Sequence, residues 1–177
     1  KHCRVNTIIA SNTSSLSITE MAEAAPHPEN FIGMHFFNPA PLMKLVEVVK
    51  GNQTNDETAQ SIYNLCKQLN KTPVLCKDAP GFIVNRVARH YYLEAMKLVE
   101  QGIASFETVD EIMEATGFKM GPFKLMDLIG MDVNLAVTQS MYNAFNRAER
   151  FTPSAIQIDK VAKGELGKKT GKGFYQY

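Results

Sequence analysis

Apolar positions follow two rhythms along this chain, and the change falls near residue 78. Before it, short apolar runs alternate with polar, turn-forming stretches. Residues 5–11, 31–36, 44–49 and 72–76 are runs of strand length rich in valine, isoleucine and phenylalanine. Ser17, with Glu20 three residues on, opens a short helix that stops before Pro26 and Pro28. Residues 56–69 place Ile62, Leu65, Cys66 and Leu69 on one helical face. Beyond residue 78 the spacing becomes helical throughout. Asp78-Ala79-Pro80-Gly81 joins an acidic cap to an early proline and predicts a long helix over 82–101. Further helices are predicted over 106–116, 122–129, 133–146 and 154–163, separated by Gly102, Gly117, Gly121, Gly130 and Gly164. The pattern predicts an α/β unit over 1–78 followed by an all-α unit over 79–177.

One polar residue interrupts the third run. Leu45, Val46, Val48 and Val49 surround Glu47, and a carboxylate buried without a partner costs several kcal/mol. The midpoint between His35 and Glu47 is Pro41, inside Pro39-Ala40-Pro41. A reversal there pairs the second and third runs antiparallel, with His35 opposite Glu47 on one face. An imidazole oriented by a carboxylate is the arrangement a general base needs. A histidine satisfied within a core is the competing reading, and the two residues by themselves leave both open.

Composition narrows the setting. The 177 residues are 45% hydrophobic and 21% charged, with a formal net charge of +1. That balance gives no reason to expect nucleic acid or an anionic membrane as partner. Cys3, Cys66 and Cys76 are odd in number and lack metal-ligand spacing, so reduced thiols in a cytosol or organelle matrix are expected, with no metal and no secretion. No apolar run approaches the ~20 residues of a membrane-spanning helix.

Several motifs then converge. SNTSSL at 11–16, HFFNP at 35–39, MKLVEVV at 43–49, DAPGFIVNR at 78–86 and GKKTGKGFYQY at 167–177 resemble, in order, the 3-hydroxyacyl-CoA dehydrogenase family. The resemblance implies an α/β remnant of a doubly wound, Rossmann-type NAD-binding domain over 1–78 and a helical substrate-binding and dimerisation domain over 79–177. It implies NAD as cofactor, an acyl-CoA substrate, and a homodimer formed through helices 82–101 and 122–146. It also implies roles for single residues. His35 becomes the base that takes the hydroxyl proton, and Glu47 the acid that orients it. Ser14 is implied to meet substrate and cofactor, Asn85 the substrate's 3-oxygen, and Asn38 and Lys169 the cofactor.

The residues alone support humbler roles beside these. Ser14 competes with Asn12, Thr13, Ser15 and Ser17 for a helix cap. Asn38 suits a turn before Pro39, Asn85 a bond to the preceding loop, and Lys169 a solvated basic tail with Lys168 and Lys172. Met113, Met120, Met126, Met131 and Met141, with Phe118, Phe123 and Tyr142, suit a core, an acyl pocket or a subunit interface. No Gly-x-Gly-x-x-Gly occurs, so the chain is expected to be the later part of a longer dehydrogenase. Two other functions stay in view: a non-catalytic dimerisation and acyl-binding module, and a related hydroxyacid or sugar-acid dehydrogenase.

Overall fold

The computed structural model describes residues 4–177. Lys1, His2 and Cys3 lie outside the described residues, and with them the reading of Cys3 as a reduced thiol. Two compact units divide the chain between Val84 and Asn85.

The first unit contains β1 (Ile9–Ser11), α1 (Ile18–Glu23), β2 (Phe31–Phe36), β3 (Leu45–Lys50), α2 (Asp56–Gln68) and β4 (Thr72–Lys77). The strands form a four-stranded sheet in the order β1-β2-β3-β4. β1 runs parallel to β2, β2 antiparallel to β3, and β3 parallel to β4. The first strand is shorter than its apolar run suggests. Residues 5 and 6 form a turn, and Val5 is 66% exposed. Its would-be partner explains this: β2 begins at Phe31, opposite Ile9, so residues 5–8 have no ladder to join.

Both sheet faces are covered, which is why the strand runs are apolar almost without alternation. Ile32, Met34, Val46 and Val48 pack with Ala59, Ile62 and Cys66 of α2. Phe31 and Val49 point the other way, toward Ile18, Ala22 and Phe82. By the two-residue strand period, His35 and Glu47 belong to this second face. Gly33 also lies there, and a Cβ on it would come within 2.8 Å of Val49 and 3.0 Å of Ile18. Glycine therefore lets α1 settle onto the sheet.

Asp78 departs from its predicted role. Its carboxylate accepts from the Ser17 hydroxyl and the Thr19 amide, each at 2.8 Å, so it caps α1 and not the long helix. The long helix, α3 (Val84–Glu100), starts later than predicted because Gly81 and Phe82 hold positive φ values of 72° and 47°.

The second unit adds α4 (Phe106–Ala115), α5 (Pro122–Ile129), α6 (Met131–Ala144) and α7 (Ala155–Ala162). Its core is built on Met96, Phe123, Met126, Met131, Met141 and Phe151. Gly130, at φ 103°, ends α5 and starts α6, so these helices join without a loop. Two buried aspartates organise the rest. Asp110 accepts from the amides of Phe123 and Lys124 at the start of α5. Asp127 accepts from the amides of Phe174 and Tyr175 and the hydroxyl of Tyr177, at 2.9–3.0 Å. The Tyr175 hydroxyl donates to Asp110 at 2.8 Å. Burial, reinforced by these carboxylates, pushes both tyrosine hydroxyls well above their usual range. Among the described residues no helix is long and apolar enough to cross a membrane.

Asp127→Ala strips three donors of their shared acceptor. It is expected to cost roughly 3 kcal/mol, read as a lowered urea midpoint, and to make residues 173–177 sensitive to protease. An unchanged midpoint with a protected tail would refute this account of the docking.

Candidate active site

The register of β2 and β3 sets His35 directly opposite Glu47. His35 Nδ1 lies 2.7 Å from Glu47 Oε2, with the two residues 5% and 1% exposed. The other carboxylate oxygen, Oε1, accepts from the amides of Ile83 at 3.0 Å and Val84 at 2.9 Å. Glu47 is therefore an anion with three donors around it, one imidazole and two main-chain N–H groups. Burial by itself raises the carboxyl's pKa. The bonds from His35, Val84 and Ile83 outweigh that, and Glu47 stays below the ordinary value of 4.5. An ionised Glu47 places the donated proton on His35 Nδ1 and leaves Nε2 outside this bond. Phe37 and Phe82 flank the imidazole, with ring centroids 4.7 and 5.7 Å away.

The hairpin that creates this pair is held from outside. Asn38–Pro39 is a cis peptide, and the Pro39 carbonyl accepts from the amides of Leu42 and Met43. Lys71 Nζ donates to the carbonyls of Ala40 at 2.5 Å and Met43 at 2.9 Å. Nothing in the sequence marks Lys71 for this task. The amides of Ile83 and Val84 were equally hidden, because main-chain donors carry no residue signature.

The other candidate residues lie at identifiable places. β1 and β2 are parallel, so the segment after each leaves the sheet at their shared carboxyl edge, where open α/β sheets place ligands. Ser14, half-buried, sits in the segment after β1, and Asn38, exposed, in the connection after β2. Asn12 ties these segments together by accepting from the Phe36 amide at 2.8 Å. Asn85 is the second residue of α3 and is half-buried. Lys169 lies in a single turn, Lys168–Thr170, and pairs with Asp132 at 2.5 Å. Lys172 pairs with Glu165, and Lys168 lies over the Tyr177 ring. The lysines of the solvated basic tail thus have partners within the unit. Cys66 and Cys76 are free thiols, and burial raises both, Cys76 to about 11, which leaves neither activated.

The carboxyl edge of β1 and β2 offers hydroxyls with which a dinucleotide's polar groups could bond, in a loop already ordered by bonds from Leu16 N to Thr13 Oγ1 and from Thr13 N to Ser11 Oγ. Among the described residues no glycine-rich turn leads from a strand into a helix to cradle a pyrophosphate.

A mixed, helix-covered sheet carries a buried histidine–carboxylate pair and is followed by a helical unit. The comparisons identify the family. Residues 1–79 match the family model described as 3-hydroxyacyl-CoA dehydrogenase, NAD binding domain, and residues 81–177 the model of its C-terminal domain. The chain belongs to the 3-hydroxyacyl-CoA dehydrogenase family. It is 49% identical to 3-hydroxyadipyl-CoA dehydrogenase of Escherichia coli over 99% of its own length and 37% of that protein. It is 47% identical to the mitochondrial hydroxyacyl-coenzyme A dehydrogenase of Mus musculus, over 100% and 57%. The crystal structure of (S)-3-hydroxybutyryl-CoA dehydrogenase from Ralstonia eutropha superimposes with a TM-score of 0.94 at 44% identity, covering 98% and 62%. The chain spans less than two thirds of the length of each of these relatives.

Glu47→Gln keeps the shape but sets an amide N–H₂ or a neutral oxygen against the donors that a carboxylate satisfied. A loss of roughly 3 kcal/mol is expected at pH 7. Because the folded carboxyl titrates below its unfolded value of 4.5, its contribution is full above that pH and fades as the pH falls through the lower folded value. The gap between wild type and variant in urea midpoint should therefore narrow below pH 4.5. A gap that widens on acidification would reverse the assigned direction.

Proposed function

We propose that this chain carries the catalytic and acyl-binding residues of an NAD-dependent dehydrogenase that oxidises L-3-hydroxyacyl-CoA to 3-oxoacyl-CoA. The observation that carries this reading is the buried His35–Glu47 pair at 2.7 Å, with the far oxygen of Glu47 locked by two amides, in a chain of this family.

NAD, when bound, supplies the acceptor for the hydride that leaves C3. His35 Nε2 takes the proton of the C3 hydroxyl, so that the C3–O bond becomes a carbonyl as the C3–H electron pair departs. Glu47 holds the imidazole in one tautomer and stabilises the imidazolium without taking the proton itself. In the reverse direction the same imidazolium is the acid. Asn85 donates to the 3-oxygen, Ser14 meets substrate and cofactor at the edge of β1, and Asn38 and Lys169 contact the cofactor.

The helical unit leaves Val87 and Leu98 of α3, Leu128 and Ile129 of α5, and Val133 of α6 exposed. These support a homodimer through this unit, which sedimentation of the full-length gene product would show as twice the chain mass. Relatives in Escherichia coli and in mitochondria support a bacterial cytoplasm or a mitochondrial matrix as the setting.

The lack of a pyrophosphate cradle among the described residues supports a second reading, in which this chain alone only binds acyl groups and dimerises. NADH oxidation with acetoacetyl-CoA separates the readings when run on this chain and on the full-length gene product. In the full-length protein His35→Gln is expected to lower kcat by about 100- to 10,000-fold, with the KM for NADH nearly unchanged. Wild-type turnover in that variant would remove His35 from the role of base.

A further inference from the structure

The helical unit buries a positive charge with no negative one beside it. Arg89, on α3, is 3% exposed, and among the described residues it forms no ion pair. Its partners are all neutral. Nη1 donates to the Asn134 carbonyl at 2.9 Å, to Asn134 Oδ1 at 3.2 Å and to Thr138 Oγ1 at 3.0 Å, while the guanidinium stands over the Tyr92 ring. Gln157, from α7, adds its amide to the same two side chains. Burial alone brings the guanidinium down to about 10 despite the opposing influence of Tyr92, so it keeps its charge at neutral pH.

The cluster is also left incomplete. Arg89 Nε, Asn134 Nδ2 and Gln157 Oε1 are buried without hydrogen-bond partners. Turning the amides does not repair this. Asn134 must face Arg89 with its oxygen, since a guanidinium has no acceptor, and Gln157 must then face that oxygen with its nitrogen. A core needing only to be filled would place an apolar side chain here at lower cost. Two unmatched donors beside an uncompensated cation are the complement of a carboxylate, which brings acceptors and charge together.

Position along α3 indicates where that carboxylate comes from. Asn85 lies one turn before Arg89, and side chains four apart on a helix have Cβ atoms about 5–6 Å from each other. This inference rests on the reading of Asn85 as the residue that meets the substrate's 3-oxygen. From C3, three carbon–carbon bonds of about 1.5 Å each reach roughly 4 Å along an extended chain, which brings a terminal carboxyl within range of Arg89. We propose that Arg89, through Nε, and Asn134, through Nδ2, bind a carboxylate at the far end of the acyl group, so that the substrate is a 3-hydroxydicarboxylyl-CoA of about six carbons. A saturated acyl chain of that length would press a methyl group against a buried charge, and the site discriminates against it.

The test compares 3-hydroxyadipyl-CoA with 3-hydroxyhexanoyl-CoA, which differ only in a carboxylate or a methyl at the sixth carbon. In the full-length enzyme, kcat/KM is expected to favour the carboxylate by roughly 100-fold. Arg89→Met should abolish that ratio, and Arg89→Lys should restore part of it. Calorimetric binding of adipyl-CoA and hexanoyl-CoA reads the same preference without turnover and does not depend on any variant folding. Equal binding of the two thioesters, or a ratio of specificity constants that Arg89→Met leaves in place, overturns the carboxylate site. Turnover of neither substrate, with adipyl-CoA still bound preferentially, overturns the dehydrogenase reading and leaves the carboxylate site standing.

Discussion

The β2–β3 hairpin and the turn into α3 are arranged around one buried carboxylate. Glu47 sits in the middle of a strand whose neighbours are apolar, and an anion there is tolerable only because every direction it faces offers a donor. Satisfying it dictates the hairpin register, since a slip of one residue would send His35 to the opposite face. It dictates the path of the chain after β4 as well. Gly81 and Phe82 take positive φ values, and the turn they form aims the next two amides at Oε1. The two amides fix the carboxylate through Oε1, and through Oε2 that fixed carboxylate holds the imidazole.

Much of this was legible in the residues because it followed from local pattern. The strands at 31–36 and 72–77, helix α2, and the helix over 122–129 are read from apolar period and end signals, and they fall within a residue or two of the expected bounds. The opposition of His35 and Glu47 was legible for a different reason. Hairpin registry is arithmetic once the turn is recognised, and three residues of Pro39-Ala40-Pro41 mark it.

What stayed hidden depended on partners distant in sequence. Val5 is apolar enough for a strand, yet a strand needs a neighbour, and where β2 begins is no property of residues 5–8. Asp78 before Pro80-Gly81 looks like the cap of the helix that follows it. Its carboxylate instead reaches back across 61 residues to Ser17, a choice decided by the sheet that brings the two together. Arg89 gave no warning either. An arginine on a helix is ordinarily read as exposed, and only packing shows that it is enclosed by neutral groups. The same limit applied to Lys169, where Asp132 supplies a partner that a run of lysines and glycines does not announce.

The segment between β1 and α1 is anchored at both ends: Asn12 holds the amide of Phe36, and Ser17 is held by Asp78. Between the anchors only Thr13, Ser14, Ser15 and Leu16 remain, and Thr13 already restrains them by accepting from Leu16. A ligand meeting these hydroxyls would freeze little further motion, so little of its contact energy is lost to ordering the loop. The affinity of a ligand at that edge would then be set by how well its shape and polar groups match a fixed surface. Discrimination between similar ligands becomes a matter of fit, and lengthening or loosening this short bridge would blunt selectivity before it weakened the fold.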